Sequence, residues 1–322
     1  MKLCVLANLY AKYPLDEALA KLEALGVEAA EIGAGGYPGK DHCDPAVLLA
    51  DPAKLEEFKA TFVRHNIELA ALSCHGNPVH PDPAEAKRYD DDFRNTVLLA
   101  EKLGIDTVVT FSGCPGGAPG DKMPNWATCA WPEEYLQVLD YQWNEVLIPY
   151  WKEAAAFARS HGVTRIALEM HPGFCVYNPE TLLRLREAVG PEIGANFDPS
   201  HLIWQSVDPV KAIRYLGDAI YHVHAKDVKV DPINSANFGN LDTKHYSNEI
   251  GRAWVFRAVG YGHGEDFWKD FVSALRLVGY DRVLSIEHED SLMSIDEGLS
   301  KAVDVIKRVI IHDPKPTTMS WA

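Results

Sequence analysis

The stretch IYHVHAKD (220–227) opens as a short, largely apolar β-branched run and closes on histidine, lysine and aspartate. Three other stretches share that pattern: RIALEMHP (165–172), IGANFDPSH (193–201) and RVLSIEHED (282–290). In each, a strand-like run delivers an acid or an imidazole near its carboxyl end: Glu169, Asp198, His224 and Glu287. Upstream, LCVLAN (3–8), AAEIGA (29–34), IELAALS (67–73) and DTVVTFS (106–112) read as further strands. Amphipathic segments separate them, such as PLDEALAKLEALG, where Leu15, Ala18, Leu19, Leu22 and Leu25 share a face and Gly26 supplies the stop. Several of these segments begin with Asp, Asn or Ser and end with Gly, as capped helices do.

Strict strand–helix alternation favours a parallel sheet, and about eight repeats favour a closed (β/α)8 TIM barrel over an open doubly wound sheet. No linker divides the chain, so residues 1–322 are expected to form one domain. Active sites of such barrels lie at the carboxyl ends of the strands, where the polar residues collect here. Two connections are long, 113–144 after the fourth strand and 229–262 after the seventh, and both are expected to overhang that face. Their tryptophans, Trp126, Trp131, Trp143 and Trp254, either stack on a sugar ring or pack the loops down. The tail from Asp313 is expected to run extended or to lie over the barrel bottom.

A formal charge of −15 opposes nucleic acid, whose affinity comes from phosphate neutralisation, and anionic membrane surfaces. The first residues, MKLCVLANLYAKYP, hold too short an apolar stretch for a signal peptide, and no window has the roughly 20 apolar residues of a membrane span. The six cysteines form no C-x-x-C pair, which suits reduced thiols in a cytoplasmic protein. The sequence leaves a homo-oligomer open.

Residues two apart on a strand face the same side, so an axial His224 brings His222 and Lys226 with it. By the same parity Glu169 aligns with His171, Asp198 with Asn196, and Glu287 with Ser285 and Glu289. A single acid at a strand end usually caps a helix or joins an ion pair. Four such residues on consecutive strands, crowded at one mouth, repel unless a cation sits among them. A site of three carboxylates and one imidazole suits Mn²⁺ best, then Mg²⁺, with Co²⁺ or Zn²⁺ also compatible. His75, in SCHGN after the third strand, is a candidate substrate contact or a structural histidine, and His263 in GHGED is a ligand contact or loop punctuation.

The motifs LEMHP, NFDPSHLIWQ, HVHAKD and SIEHED, with GYGHGEDFW leading into a helix, resemble the xylose-isomerase-like TIM-barrel family of sugar isomerases, ketose 3-epimerases and inosose dehydratases. The resemblance implies that Glu169, Asp198, His224 and Glu287 bind the metal and that His201 contacts a substrate oxygen. The chain departs from ketose 3-epimerases at Val230, where they carry arginine, and it lacks the additional ligands of the endonuclease branch.

The expected activity is isomerisation or epimerisation of a ketose or keto-polyol through an enediolate, with Glu169 and Glu287 as base and acid. His201, Lys226, His171, His75 and His263 are the expected substrate contacts. The alternative is a lyase, a dehydratase or keto-glycoside-cleaving enzyme, using the same enolate. The partner is a small carbohydrate, more readily accommodated without phosphate, since no basic phosphate nest is evident.

Overall fold

The computed structural model describes residues 1–316 and 318. Eight parallel strands close into a barrel: β1 (Lys2–Leu6), β2 (Ala29–Gly33), β3 (Glu68–Ser73), β4 (Thr107–Thr110), β5 (Arg165–Glu169), β6 (Ile193–Phe197), β7 (Ile220–Ala225) and, last in the chain, β10 (Val283–Ile286). These are the eight runs expected from the sequence. All but β3, whose first three residues are exposed or half-buried, are buried nearly throughout, because helices cover the outside and side chains fill the inside. The expected helices also form, among them α1 (Leu15–Ala24), α3 (Pro52–Arg64), α4 (Pro83–Leu103), α6 (Ile148–Ser160), α7 (Pro179–Val189), α9 (Pro209–Leu216), α11 (Glu265–Leu277) and α12 (Ile295–Val309).

A repeated dipeptide sets where many helices begin. Asp44-Pro45, Asp51-Pro52, Asp82-Pro83, Asn178-Pro179, Asp198-Pro199, Asp208-Pro209 and Asp231-Pro232 each place a side-chain oxygen on backbone N–H groups of the first turn, with proline at the first helical position. The proline lacks an N–H that would otherwise go unpaired, and the acid or amide satisfies one that remains. Three short helices not anticipated from periodicity start this way: α2 (Pro45–Ala50), α8 (Pro199–Trp204) and α10 (Pro232–Phe238). Runs of six or seven residues are too short to show a 3.6-residue period.

The two long connections fold differently. The first holds α5 (Glu134–Asp140) and a π-helical stretch, Tyr141–Leu147, and packs outward against α7, with Trp143 fully buried beneath the Arg184 guanidinium at 4.0 Å. The second leaves β7 almost at once as β8 (Asp227–Val230), which pairs antiparallel with β9 (Trp254–Arg257). This hairpin was not foreseen from the sequence. It carries its own apolar cluster of Trp204, Val228, Trp254 and Phe256, in which Trp204 and Trp254 stack at 4.8 Å.

At the opposite end of the barrel, Arg282 donates to Asp106 at 2.8 Å and the N-terminal ammonium binds Asp281 at 2.6 Å and the Ile311 carbonyl at 2.9 Å. Arg276 holds the carbonyls of Ile311 and Asp313, both at 2.8 Å, so the start of the tail lies over the barrel bottom. The rest of the expected tail, Thr317 and residues 319–322, lies outside the described residues.

One turn brings the loop after β2 onto the loop after β3. Gly36 has φ +62°, its N–H donates to Asp92 at 2.9 Å, and a Cβ there would sit 1.8 Å from the His75 carbonyl oxygen. Replacement with alanine meets both the left-handed backbone cost, about 1–3 kcal/mol, and a collision with main chain. We therefore expect Gly36→Ala to lower the denaturant midpoint with an unchanged m-value, and a wild-type midpoint would refute this close approach.

Candidate metal centre

Glu169 is the last residue of β5, Asp198 and Glu287 each follow a strand by one residue, and His224 is the penultimate residue of β7. Barrel closure brings them together, so that one donor atom from each lies within 4.8 Å of the others. All are buried except Glu287, whose side chain is 15% exposed. His224 Nδ1 lies 3.1 Å from Glu287 Oε2 and 3.3 Å from Glu169 Oε2.

The remaining atoms of these residues are tied down. Asp198 Oδ1 caps α8 by accepting from the Ser200 N–H at 2.7 Å. Glu169 Oε2 accepts from Asn196 Nδ2 at 3.1 Å and from His75 Nε2 at 3.0 Å. His224 Nε2 sits 3.1 Å from both oxygens of Glu31. By contrast Asp198 Oδ2, His224 Nδ1 and Glu287 Oε2 are buried with no hydrogen-bond partner. Orphaned buried acceptors that converge on one point fit a divalent cation, since each would otherwise bear a desolvation cost of about 1–3 kcal/mol. The capping and ligand readings of Asp198 are therefore compatible, one for each oxygen.

Charge follows from this crowding. Burial pushes Asp198 up to about 6, only partly countered by His201 and Lys226. Burial would also raise Glu287, but Lys226 and His224 bring it down to about 2. His224 is depressed by burial yet held well above the ordinary histidine range by Glu31 and Glu287. Lys226 keeps its charge because Glu287, at 3.2 Å, and Glu289, at 2.7 Å, outweigh burial. His171 is driven down to about 3 by burial and by His201, so it is neutral.

Above the cluster lies a cavity of about 580 Å³. His75, Glu169, His171, Lys226, Glu287 and Glu289 line its polar wall, and Tyr37, Phe111, Tyr246 and Phe256 its aromatic one. His201 is buried beside the floor, with Nε2 3.2 Å from both Glu169 Oε1 and Asp198 Oδ2. His263 is not brought to the site. Its Nδ1 binds Asp227 Oδ1 at 2.8 Å, and Asp227 Oδ2 also accepts the N–H groups of Gly260, Gly262 and His263, so this histidine punctuates the loop.

One further expectation is corrected, and of the two alternatives for the tryptophans the structure shows packing for Trp126, Trp143 and Trp254. Among the described residues none of 113–144 lines the cavity, because that connection folds outward onto α7; only the hairpin side of 229–262 overhangs the mouth. The four tryptophans do not face it either: Trp126 packs edge-on to Tyr177, Trp143 and Trp254 are buried in packing, and Trp131 is exposed on the far loop. The residue that sequence reasoning missed is Glu31, fully buried in β2. Its signal was a lone acid in the middle of a strand otherwise buried on both faces.

The model of the xylose isomerase-like TIM barrel family matches residues 19–309. The chain belongs to that family. It is 42% identical to an uncharacterised protein, YfiH, of Bacillus subtilis (strain 168), over 96% of this chain and 99% of that one. It is 24% identical to an inosose dehydratase of Geobacillus kaustophilus (strain HTA426), over 71% of this chain and 67% of that one. Among solved structures, the IOLI protein with a bound zinc atom superposes with a TM-score of 0.65 at 20% identity, covering 96% of this chain and 99% of that one. A D-psicose 3-epimerase from Clostridium cellulolyticum H10 superposes with a TM-score of 0.61 at 15% identity, covering 96% of this chain and 99% of that one.

A histidine must lose its proton to ligate, and the raised pKa of His224 means that it is protonated at neutral pH without metal. Titration with Mn²⁺ at pH 7 is therefore expected to release about one proton per ion, with affinity falling as pH falls. Below about pH 6 protonation of Asp198 adds to the loss. Calorimetry in two buffers of different ionisation enthalpy measures this, and binding without proton release contradicts it.

Proposed function

We propose that this xylose isomerase-like chain is a metal-dependent isomerase or epimerase of an unphosphorylated ketose or keto-polyol. The observation that carries the reading is the pair Glu169 and Glu287. Both line the cavity, both are held ionised, and they flank His224 Nδ1 at 3.3 and 3.1 Å. Glu169, Asp198, His224 and Glu287 would hold the ion, with Mn²⁺ favoured by three carboxylates and one imidazole. A bound divalent ion supplies Lewis-acid polarisation of a substrate carbonyl and neutralises charge that develops on it.

The chain's own residues do the rest. One glutamate takes the proton from the carbon beside the carbonyl and the other returns a proton to the opposite face or to the neighbouring carbon. His75 and Asn196, both on Glu169 Oε2, fix that carboxylate's orientation while leaving Oε1 toward His201. His171 donates its Nδ1–H to the Pro172 carbonyl at 2.6 Å, so neutral Nε2 is free to accept from a substrate hydroxyl. Glu169, Glu287, Glu289 and Asp290 line the cavity, and Lys226 is its one lysine or arginine among the described residues, already shared by two of these acids. A phosphate dianion would be repelled; neutral hydroxyls are not.

One observation favours a lyase as the second reading. The Lys226 ammonium lies 3.2 Å from Glu287 inside the cavity, where it can protonate a departing β-oxygen. The inosose dehydratase relative points the same way. Val230, where ketose 3-epimerases carry arginine, packs against the Trp204–Trp254 cluster and away from the cavity lining.

The experiment is incubation of metal-loaded enzyme with a panel of neutral ketoses in deuterated water. Deuterium in recovered sugar together with an isomer or epimer is expected, and Glu287→Gln should lose at least ~100-fold in exchange. Neither product nor exchange with any member sinks the proposal. Release of water or an aglycone, without label in recovered substrate, selects the lyase.

A further inference from the structure

Glu31 belongs to none of the groups proposed to hold or convert substrate, yet it accepts as many hydrogen bonds as Asp227, all of them from side chains. It lies on β2, completely buried, and it accepts from four side chains on three other strands. Ser73 of β3 and Ser285 of β10 donate their hydroxyls, the latter at 2.7 Å. His222 Nε2 donates at 2.7 Å, and His224 Nε2 sits astride both oxygens at 3.1 Å. An ionised carboxylate only accepts, so the Nε2 of each histidine carries the hydrogen. Once His224 is neutral, as a metal ligand must be, that leaves Nδ1 as its lone-pair nitrogen, and Nδ1 is the atom that faces Glu169 and Glu287.

We propose that Glu31 is the positioning residue of the metal centre: it sets the tautomer and ring plane of His224 so that Nδ1 is offered to the ion. The inference rests on reading Glu169, Asp198, His224 and Glu287 as the metal ligands. Its physical content is specific. Glutamine at position 31 has one accepting oxygen and an NH₂ group in place of two accepting oxygens, against two imidazoles and two hydroxyls. An amide N–H turned toward His224 Nε2 stabilises the other tautomer, with the hydrogen on Nδ1, which cannot ligate. Simple space-filling does not distinguish the two side chains, because their shapes are nearly the same.

The test is Mn²⁺ affinity, measured by calorimetry on wild type, Glu31→Gln, Glu31→Asp and Asp198→Asn, beside the melting curve of each metal-free protein. We expect Glu31→Gln to bind 10- to 100-fold more weakly, the usual loss when a carboxylate behind a ligating histidine is removed, while its metal-free fold is retained. Glu31→Asp, which keeps the charge on a shorter arm, should recover part of that loss. Undiminished binding by Glu31→Gln, with Asp198→Asn impaired, overturns the role of Glu31 and spares the metal site. No binding by wild type overturns both. Should Glu31→Gln fail to fold, long-range ¹H–¹⁵N correlations on the zinc-loaded wild-type protein decide the matter: Nδ1 coordinated and Nε2 protonated at His224 supports the proposal, and the reverse refutes it.

Discussion

Glu31, Glu169, Asp198 and Glu287 are all withdrawn from water within one end of a barrel, and the rest of the site is arranged around the repulsion among them. An uncompensated buried carboxylate costs several kcal/mol, so each must be matched by a donor or a positive charge. Glu31 is matched by two histidines and two serines, Glu169 by His75 and Asn196, and Glu287 by Lys226 and His224. Asp198 is hydrogen-bonded on one oxygen only, with His201 Nε2 3.2 Å from the other. The shortfall is local, it adjoins His224 Nδ1, and a divalent ion held there, as proposed, would answer it.

Strand HVHAKD shows how few residues can organise such a site. Alternation sends His222, His224 and Lys226 to the axis in ascending layers: the first to Glu31, the second between Glu31 and the ligands, the third to Glu287 and Glu289. Asp227 faces the other way and gathers the Gly260, Gly262 and His263 amides. A Cβ on Gly262 would lie 2.3 Å from that carboxylate, which explains the glycine in GYGHGEDFW. One strand thus places the histidine proposed as metal ligand, the cavity's lysine and the anchor of the overhanging loop.

Most of this barrel was legible in the sequence because each strand is long enough, and apolar enough, to stand out between capped helices. The convergence of Glu169, Asp198, His224 and Glu287, the proposed ligands, was legible because they lie at the ends of those strands, where polarity breaks the apolar run. Glu31 was not, since a strand reading treats an acid within AAEIG as noise unless its partners on β3, β7 and β10 are known, and those partners lie 42, 191, 193 and 254 residues away. The β8–β9 hairpin was hidden for a related reason. Its pairing depends on contacts between 227–230 and 254–257 across an irregular excursion, which local periodicity does not register. His263 misled because a histidine in a glycine-rich loop beside the barrel mouth suggests a ligand contact, whereas its neighbour across the loop, Asp227, claims the ring.

Lys226, directly after β7, is the cation that faces the cavity, whereas position 230 carries valine. Val230 sits in the hairpin, four residues beyond Lys226, and its side chain is committed to the apolar cluster that stiffens the overhang. Lys226 leaves β7 directly, is 3% exposed, and rests 4.3 Å above the Phe256 ring with Glu287 and Glu289 on its other side. An ammonium fixed by an aromatic face and two carboxylates has little freedom to follow a moving substrate, unlike a guanidinium on a loop. It offers one directed donor beside Glu287, the glutamate proposed to move protons. On that proposal recognition would be built into the barrel wall, and the choice between returning a proton to carbon and expelling an oxygen would turn on which substrate atom lies against that ammonium.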